Sequence, residues 1–296
     1  MEANGILYLS NDDVKKILDL GHSIEITEQA LRDHSEGRVI WSTPEDLAIK
    51  PEHGWQSWVT GCALATEPVA GFRIRSIKAA GGSRDVARPP RGPRRILILS
   101  DREGGEIRAI MDEDWCHAVR TAAAATVAMR VLARKGSTVM AMLGAGDTAR
   151  AAVPVMAKAF DLKEIRVTSR TPESRENYAK EIGKEYGLNV VPVESTETAL
   201  KGADVVISAT TTSTPFVKES WLDAGVTVYS IGKNQEMESS VYKNADKFVV
   251  DSWLHCKNKS DMQRMLKENY LSEKDLYAEL PELLSGKKPA RQSDRE

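Results

Sequence analysis

The sequence predicts an α/β protein: a doubly wound parallel sheet in the second part of the chain, preceded by a smaller α+β domain. Three observations carry this. From Ser137 onward, short apolar runs alternate with helical stretches, the rhythm of parallel strands with crossover helices. The first of those runs ends in a glycine-rich turn that opens a helix. Before Asp112, several strand-like pieces and two helices form a separate block, the layering of an α+β unit.

The chain opens with a strand at 6–9. Ser10 and Asn11 are helix-starting residues ahead of Val14, Ile17 and Leu18, which share one helical face. A second helix is predicted over about 24–34 and stops at Gly37. Strand pieces follow at 58–59, 71–77, 95–99 and 107–111. Residues 79–93, rich in Gly, Pro and Arg, predict a mobile loop. These elements define a first domain at 1–117. The Ala-rich stretch 116–135 has strong helix propensity and ends at Gly136; its part from 118 to 135 is expected to connect the two domains. Strands are then predicted at 138–143, 164–169, 190–193, 204–209, 227–231 and 247–250, in a second domain spanning 136–285 with a tail at 286–296.

With 41% apolar residues among 296, the chain can bury a sizeable core. A formal charge of −2 provides no field that favours nucleic acid or an anionic membrane. The segment 73–108 is basic but lacks interleaved aromatics, so base stacking has little support. Cys62, Cys116 and Cys256 are odd in number and far apart, which fits free thiols in a reducing compartment. The histidines show no metal-ligand spacing, and no Gly-x-Ser-x-Gly elbow is present. The N-terminus lacks a basic region followed by an apolar run, and no run approaches a membrane span. A cytoplasmic protein without membrane or nucleic-acid partners is expected.

The glycine turn reads Gly144-Ala145-Gly146-Asp147-Thr148-Ala149. Gly144 permits the tight turn, Gly146 lets backbone N–H groups approach a pyrophosphate, and Ala149 lets the helix pack close to the sheet. Phosphates then rest at the helix N-terminus, where Asp147 and Thr148 lie. In this context the motif predicts a Rossmann-type dinucleotide site. Pro154 falls inside the expected helix and removes one backbone bond there.

The tip of the second strand selects between nucleotides. It reads Ser169-Arg170-Thr171-Pro172 and carries no carboxylate for a ribose hydroxyl. Arg170 can fork onto a 2′-phosphate, with hydrogen bonds added by Ser169 and Thr171, so NADP(H) is favoured over NAD(H). Thr171 before Pro172 also has the form of a helix cap. Two later strand ends are expected to line the same crevice: the hydroxyl-rich Thr210-Thr211-Thr212, and Ile231-Gly232-Lys233-Asn234, where Gly232 is expected to leave room for a flat nicotinamide.

Arg120-Thr121-Ala122-Ala123, the Ala-rich helix and the Gly144 turn occur together in an arrangement that resembles the ornithine cyclodeaminase/μ-crystallin family. Ala203-Asp204-Val205-Val206 before a Thr-rich turn, Trp221-Leu222-x-x-Gly225, and Ala245-Asp246-x-x-Val249-Val250-Asp251 carry the same likeness, as does Leu9-Ser10-x-Asp12-Asp13-Val14. The resemblance implies a substrate-binding and dimerisation domain joined to a Rossmann domain, a homodimer, and hydride chemistry at a carbon bearing an amino or imino group. It implies that Arg120 and Arg73, the latter standing where the family has lysine, hold the substrate carboxylate.

Departures from the family pattern narrow the expectation. Thr43-Pro44-Glu45-Asp46 stands where a further family arginine follows proline. Asn234 stands where cyclodeaminases carry a catalytic aspartate, and an amide cannot serve as a carboxylate base. Arg73 keeps the charge but does not give up a proton readily, leaving Lys78, a tyrosine or water for any proton relay. A family strand and helix expected beyond Glu296 are missing from this chain, which would leave a sheet edge unpaired. The resulting expectation is an NAD(P)H-dependent reductase of an imine or ketimine, or of a 2-oxo acid plus amine, acting on a small anionic amino or imino acid. Asn234 is expected to position substrate or carboxamide. A cyclodeaminase or amino-acid dehydrogenase, and a non-catalytic NADP-binding crystallin-like protein, are the alternatives.

Overall fold

A computed structural model describes residues 5–50, 55–78, 95–212, 214–232, 235–258 and 260–296. The chain forms two compact units. One comprises residues 1–19 and 33–117, the other residues 20–32 and 118–296. The N-terminal helix segment 20–32 therefore belongs with the second unit, unlike the contiguous 1–117 block expected from sequence, and so does the 286–296 tail.

The first unit starts with β1 (Leu7–Leu9) and α1 (Asn11–Ile17). Ser10 caps α1: its hydroxyl accepts from Asp13 N–H, while Asp13 accepts from Ser10 N–H, a reciprocal capping box. Helix α2 (Leu20–Ser35) crosses from the second unit into the first and ends before Gly37, whose φ of 71° suits glycine. Then come β2 (Val39–Ile49), β3 (Trp55–Leu64), β4 (Val69–Lys78), β5 (Arg95–Asp101) and β6 (Ile107–Asp112). They form one sheet in the order β1-β6-β5-β4-β3-β2, antiparallel except for the β1–β6 pair.

Register sorts this sheet into two faces. Tyr8, Ile110, Ile98 and Phe72 are directly opposite one another across four strands, and Leu47, Val59, Ile74 and Ile96 make a parallel row on the same face. Much of this apolar face is open: Tyr8 is 62% exposed, Leu47 58% and Phe72 43%. Arg73 and Arg75 alternate onto the other face.

Helix α3 (Asp114–Leu132) follows, with Ala122, Ala123, Ala125 and Val127 fully buried, as its small-residue run requires. The second unit then alternates β7 (Val139–Leu143), α4 (Asp147–Met156), β8 (Glu164–Thr168), α5 (Pro172–Tyr186), β9 (Val190–Pro192), α6 (Thr196–Leu200), β10 (Val205–Ser208) and β11 (Thr227–Ser230). Its five strands are all parallel and ordered β11-β10-β7-β8-β9. Met140, Met142, Ile165, Val167, Val205 and Ile207 are buried, as expected of a sheet covered on both faces. This is the order of the first five strands of a Rossmann sheet, and it reverses at β7.

The sixth predicted strand is displaced. After α7 (Ser239–Lys243), the shorter β12 (Val249–Val250) pairs with β13 (Ala278–Glu279) in a separate two-stranded sheet, leaving β11 at an edge. Between these two strands lie α8 (Trp253–Cys256) and α9 (Ser260–Lys267), and α10 (Leu280–Leu284) follows β13. Phe248, Trp253, Met262, Met265 and Leu271 cluster into a small core of their own, which holds this excursion away from the main sheet. The tail is anchored rather than loose. Arg291 donates to the carbonyls of Leu132 and Gly225, and a Cβ on Gly225 would collide with the carbonyl oxygen of Asp294.

Asp204 locks the start of the sheet. Its Oδ2 accepts from Thr138 and Val139 N–H at 2.7 and 2.9 Å, and Arg134 pairs with its other oxygen. Burial opposes its ionisation, but these donors outweigh burial and hold the carboxyl below its ordinary value. Among the described residues, no helix is long and apolar enough to cross a membrane.

Candidate nucleotide site and its surroundings

Ligands of open parallel sheets bind beyond the carboxyl ends of the strands, where strand order reverses. Here that place is between β7 and β10. Leu143 ends β7, and Gly144 follows with a φ of 113°, its N–H bonded to Thr168 O at 2.9 Å. A Cβ on Gly144 would lie 2.6 Å from the carbonyl oxygen of Ala209, so the turn and the loop after β10 pack backbone to backbone. Gly146 differs. Its φ of −85° is ordinary, and nothing lies within 4 Å of where its Cβ would be. It is the N-cap of α4, and the helix dipole and the first N–H groups of that helix point toward the open space beside it. Ala149 is fully buried, and Tyr178 Oη donates to its carbonyl at 2.7 Å, fastening α4 to α5. Pro154 leaves the helix intact for only two more residues.

At the end of β8, Thr171 caps α5 by accepting from Ser174 N–H, with Pro172 at the first helical position, as the sequence predicts. Ser169 Oγ donates to Thr171 O. Arg170 is exposed and makes no hydrogen bond or ion pair with the described residues. This open cradle at Gly146, with Arg170 nearby in sequence beyond the adjacent strand, fits a dinucleotide.

The ends of β10 and β11 hold a residue that sequence reading misses. Glu236 is fully buried and accepts from Thr210 N–H and Oγ1, Ser230 Oγ and Gly232 N–H. Its only sequence signal is an acidic residue shortly after a strand-end glycine, too weak to single out. It also corrects the expectation for Gly232: the space above that glycine is filled by the Glu236 carboxylate, whose Cδ lies 2.4 Å from where a Cβ would be, and is not left for a flat ring. Ile231 N–H bonds Ser208 O, and Thr211 is exposed. Among the described residues, Ser208 Oγ is buried without a hydrogen-bond partner. Lys233 and Asn234 lie outside the described residues, as do the side chains of Pro44, Glu45, Asp46 and Lys78.

Arg120 is exposed on α3 and bears electrostatically on Tyr229. Burial, then Asp251 and Cys256, push the Tyr229 hydroxyl pKa up, and Arg120 opposes them. In the first unit, Arg73 is held from two sides. Its Nε donates to Glu113 Oε2 at 2.7 Å, and Nη2 lies 3.0 Å from His117 Nδ1. A guanidinium only donates, so that imidazole nitrogen is the acceptor.

Comparison with known proteins now decides the lineage. The sequence profile of the ornithine cyclodeaminase/mu-crystallin family matches residues 7–296. The chain belongs to that family. It is 25% identical over 296 residues to a Delta(1)-pyrroline-2-carboxylate reductase of Bacillus cereus, covering 98% of this chain and 89% of that one. It is 31% identical over 198 residues to the ketimine reductase mu-crystallin of Rattus norvegicus, covering 66% of this chain and 60% of the relative. The structure of Thermococcus litoralis Delta(1)-pyrroline-2-carboxylate reductase in complex with NADH and L-proline superposes with a TM-score of 0.87, at 27% identity, over 98% of this chain and 90% of that one.

Proposed function

We propose that this member of the ornithine cyclodeaminase/mu-crystallin family is a nicotinamide-dependent oxidoreductase that reduces the C=N bond of a small imino acid. The observation that carries the reading is the open cradle at Gly146. It lies where the strand order reverses, in a chain that matches a reductase complexed with NADH and L-proline over nearly its full length.

When bound, the nicotinamide supplies hydride to the imine carbon. The protein supplies the rest. The N-terminal N–H groups and the dipole of α4 hold the diphosphate. Arg170, uncommitted to other described residues, takes a 2′-phosphate in a fork, and Ser169 and Thr171 add hydroxyls, which favours NADP(H) over NAD(H). The family resemblance assigns the substrate carboxylate to Arg120 and Arg73, the latter paired with Glu113 at 2.7 Å. The open apolar face made by Tyr8, Ile40, Leu47 and Phe72 is assigned to a homodimer contact, since monomers rarely leave such a patch to water. A cytoplasmic setting is assigned because the sequence holds only Cys62, Cys116 and Cys256, odd in number and far apart.

The test is a fluorescence titration with NADPH and NADH in competition, followed by nucleotide oxidation in the presence of cyclic ketimine carboxylates. Tighter NADPH binding and oxidation dependent on ketimine are expected. Absence of binding to either nucleotide at millimolar concentration, or ammonia release from ornithine without added nucleotide, overturns the assignment.

A further inference from the structure

The Glu236 carboxylate joins two strand-end loops, adding side-chain bonds to the backbone bonds that Ile231 N–H makes to Ser208 O and Glu238 N–H makes to Val217 O. Oε1 accepts from Thr210 N–H at 2.7 Å and Thr210 Oγ1 at 2.6 Å, on the loop after β10. Oε2 accepts from Ser230 Oγ at 2.8 Å and Gly232 N–H at 3.1 Å, at the end of β11. The backbone carbonyl of Glu236 accepts from Phe216 and Val217 N–H, which fixes the acid from its other side. The held loop continues to the nucleotide turn: the imagined Cβ of Gly144 meets both Ala209 O and, at 3.3 Å, Thr210 Cγ2. One carboxylate therefore ties the glycine turn, the end of β10 and the end of β11 into a single wall.

We propose that Glu236 is a positioning residue that sets this wall for the nicotinamide half of the nucleotide. The proposal rests on the nucleotide-dependent reading above. A buried carboxylate is costly and is sustained here by four donors, two of them backbone N–H groups that cannot turn away. Those donors belong to the β10 and β11 ends, whereas the adenosine half is assigned to the turn after β7 and the tip of β8. Loosening the clamp therefore affects the two halves of the ligand unequally.

Glu236→Gln preserves shape but presents an NH2 group to one donor pair whichever way the amide turns, so either Thr210 or Gly232 N–H loses its acceptor. In the full-length protein, NADPH and NADH affinity should fall about tenfold to a hundredfold, while ADP-ribose affinity changes by no more than about twofold. Turnover should fall with nucleotide affinity at saturating imine. Equal losses for dinucleotide and ADP-ribose, or no loss for either, overturn the proposal. Should Glu236→Gln fail to fold, Ser230→Ala removes one of the four donors and leaves the acid in place. It should give the same unequal loss in smaller measure, and an equal loss again defeats the assignment. If the unaltered protein binds neither nucleotide, the functional reading falls. If it binds both and the variants keep the ligand ratio, only the role of Glu236 falls.

Discussion

Replacing Gly146 with alanine separates binding from folding, because the structure makes the folding terms cancel. The residue has an ordinary backbone, φ −85° and ψ −174°, and its Cβ would enter open space. As a helix cap, alanine is worse than glycine by roughly 0.5–1 kcal/mol. Alanine also restricts the unfolded chain, which returns about 0.4–1 kcal/mol. The net change in stability without ligand should thus be close to zero. The new methyl nevertheless occupies the approach to the α4 N–H groups, and a hydrogen bond to a charged phosphate contributes about 1.5–3 kcal/mol. Loss of one such bond weakens nucleotide binding about tenfold to a hundredfold. Denaturant melts of the apo-protein and nicotinamide fluorescence titration measure the two quantities separately. Gly144→Ala serves as the contrast. Its φ of 113° and the nearby Ala209 carbonyl impose strain of about 1–3 kcal/mol before any ligand is added. A Gly146→Ala protein that binds both nucleotides as tightly as the original would refute the placement of the diphosphate.

Other perturbations probe separate parts of the argument. Arg170→Asp should leave the melt unchanged, since Arg170 engages no described residue, and should lower NADPH affinity about tenfold to a hundredfold while sparing NADH; equal effects on both nucleotides would count against a 2′-phosphate contact. Asp204→Asn should cost about 1–3 kcal/mol at neutral pH, because the amide cannot accept from both Thr138 and Val139 while pairing with Arg134. The folded pKa of Asp204 is depressed, so its contribution is complete above the unfolded value of about 3.9 and disappears as pH falls through the folded value. The stability gap between variant and original should therefore narrow on acidification, and a gap that widens would contradict the assignment. Phe72→Glu places a charge in the open apolar face and should yield a folded monomer by sedimentation, whereas an unchanged mass would remove that face from the dimer contact.

Local signals made much of the second unit readable. The alternation of strands and helices, the Gly144 turn and the Thr171–Pro172 cap each depend on residues within a few positions of one another, and each appears where expected. Long-range contacts were harder to read. Strand β2 runs across Pro44 with an irregular register between Trp41 and Asp46, and proline within a run argues against a strand unless the register breaks. The stretch ending at Val250 has strand character, yet its partner is the short β13 and not the main sheet, a choice made by the small core around Met265. Arg73 is visible as a cation, but Glu113, which neutralises it, lies forty positions away and carries no motif. Glu236 is hidden for the same reason, since its four donors come from two different strand ends.

The division of the chain into two units is not a cut at one point along it. Residues 20–32 are made early, yet Ile24, fully buried, and Glu28, 3.5 Å from Arg130, belong with residues made about a hundred positions later. During synthesis this helical segment must wait, its apolar side uncovered, until the second half has left the ribosome. A fragment beginning at Ala118 would correspondingly lack a structural piece of its own body. Dissecting this protein into halves by simple truncation should give an incomplete second unit, and supplying the 20–32 peptide in trans should restore it.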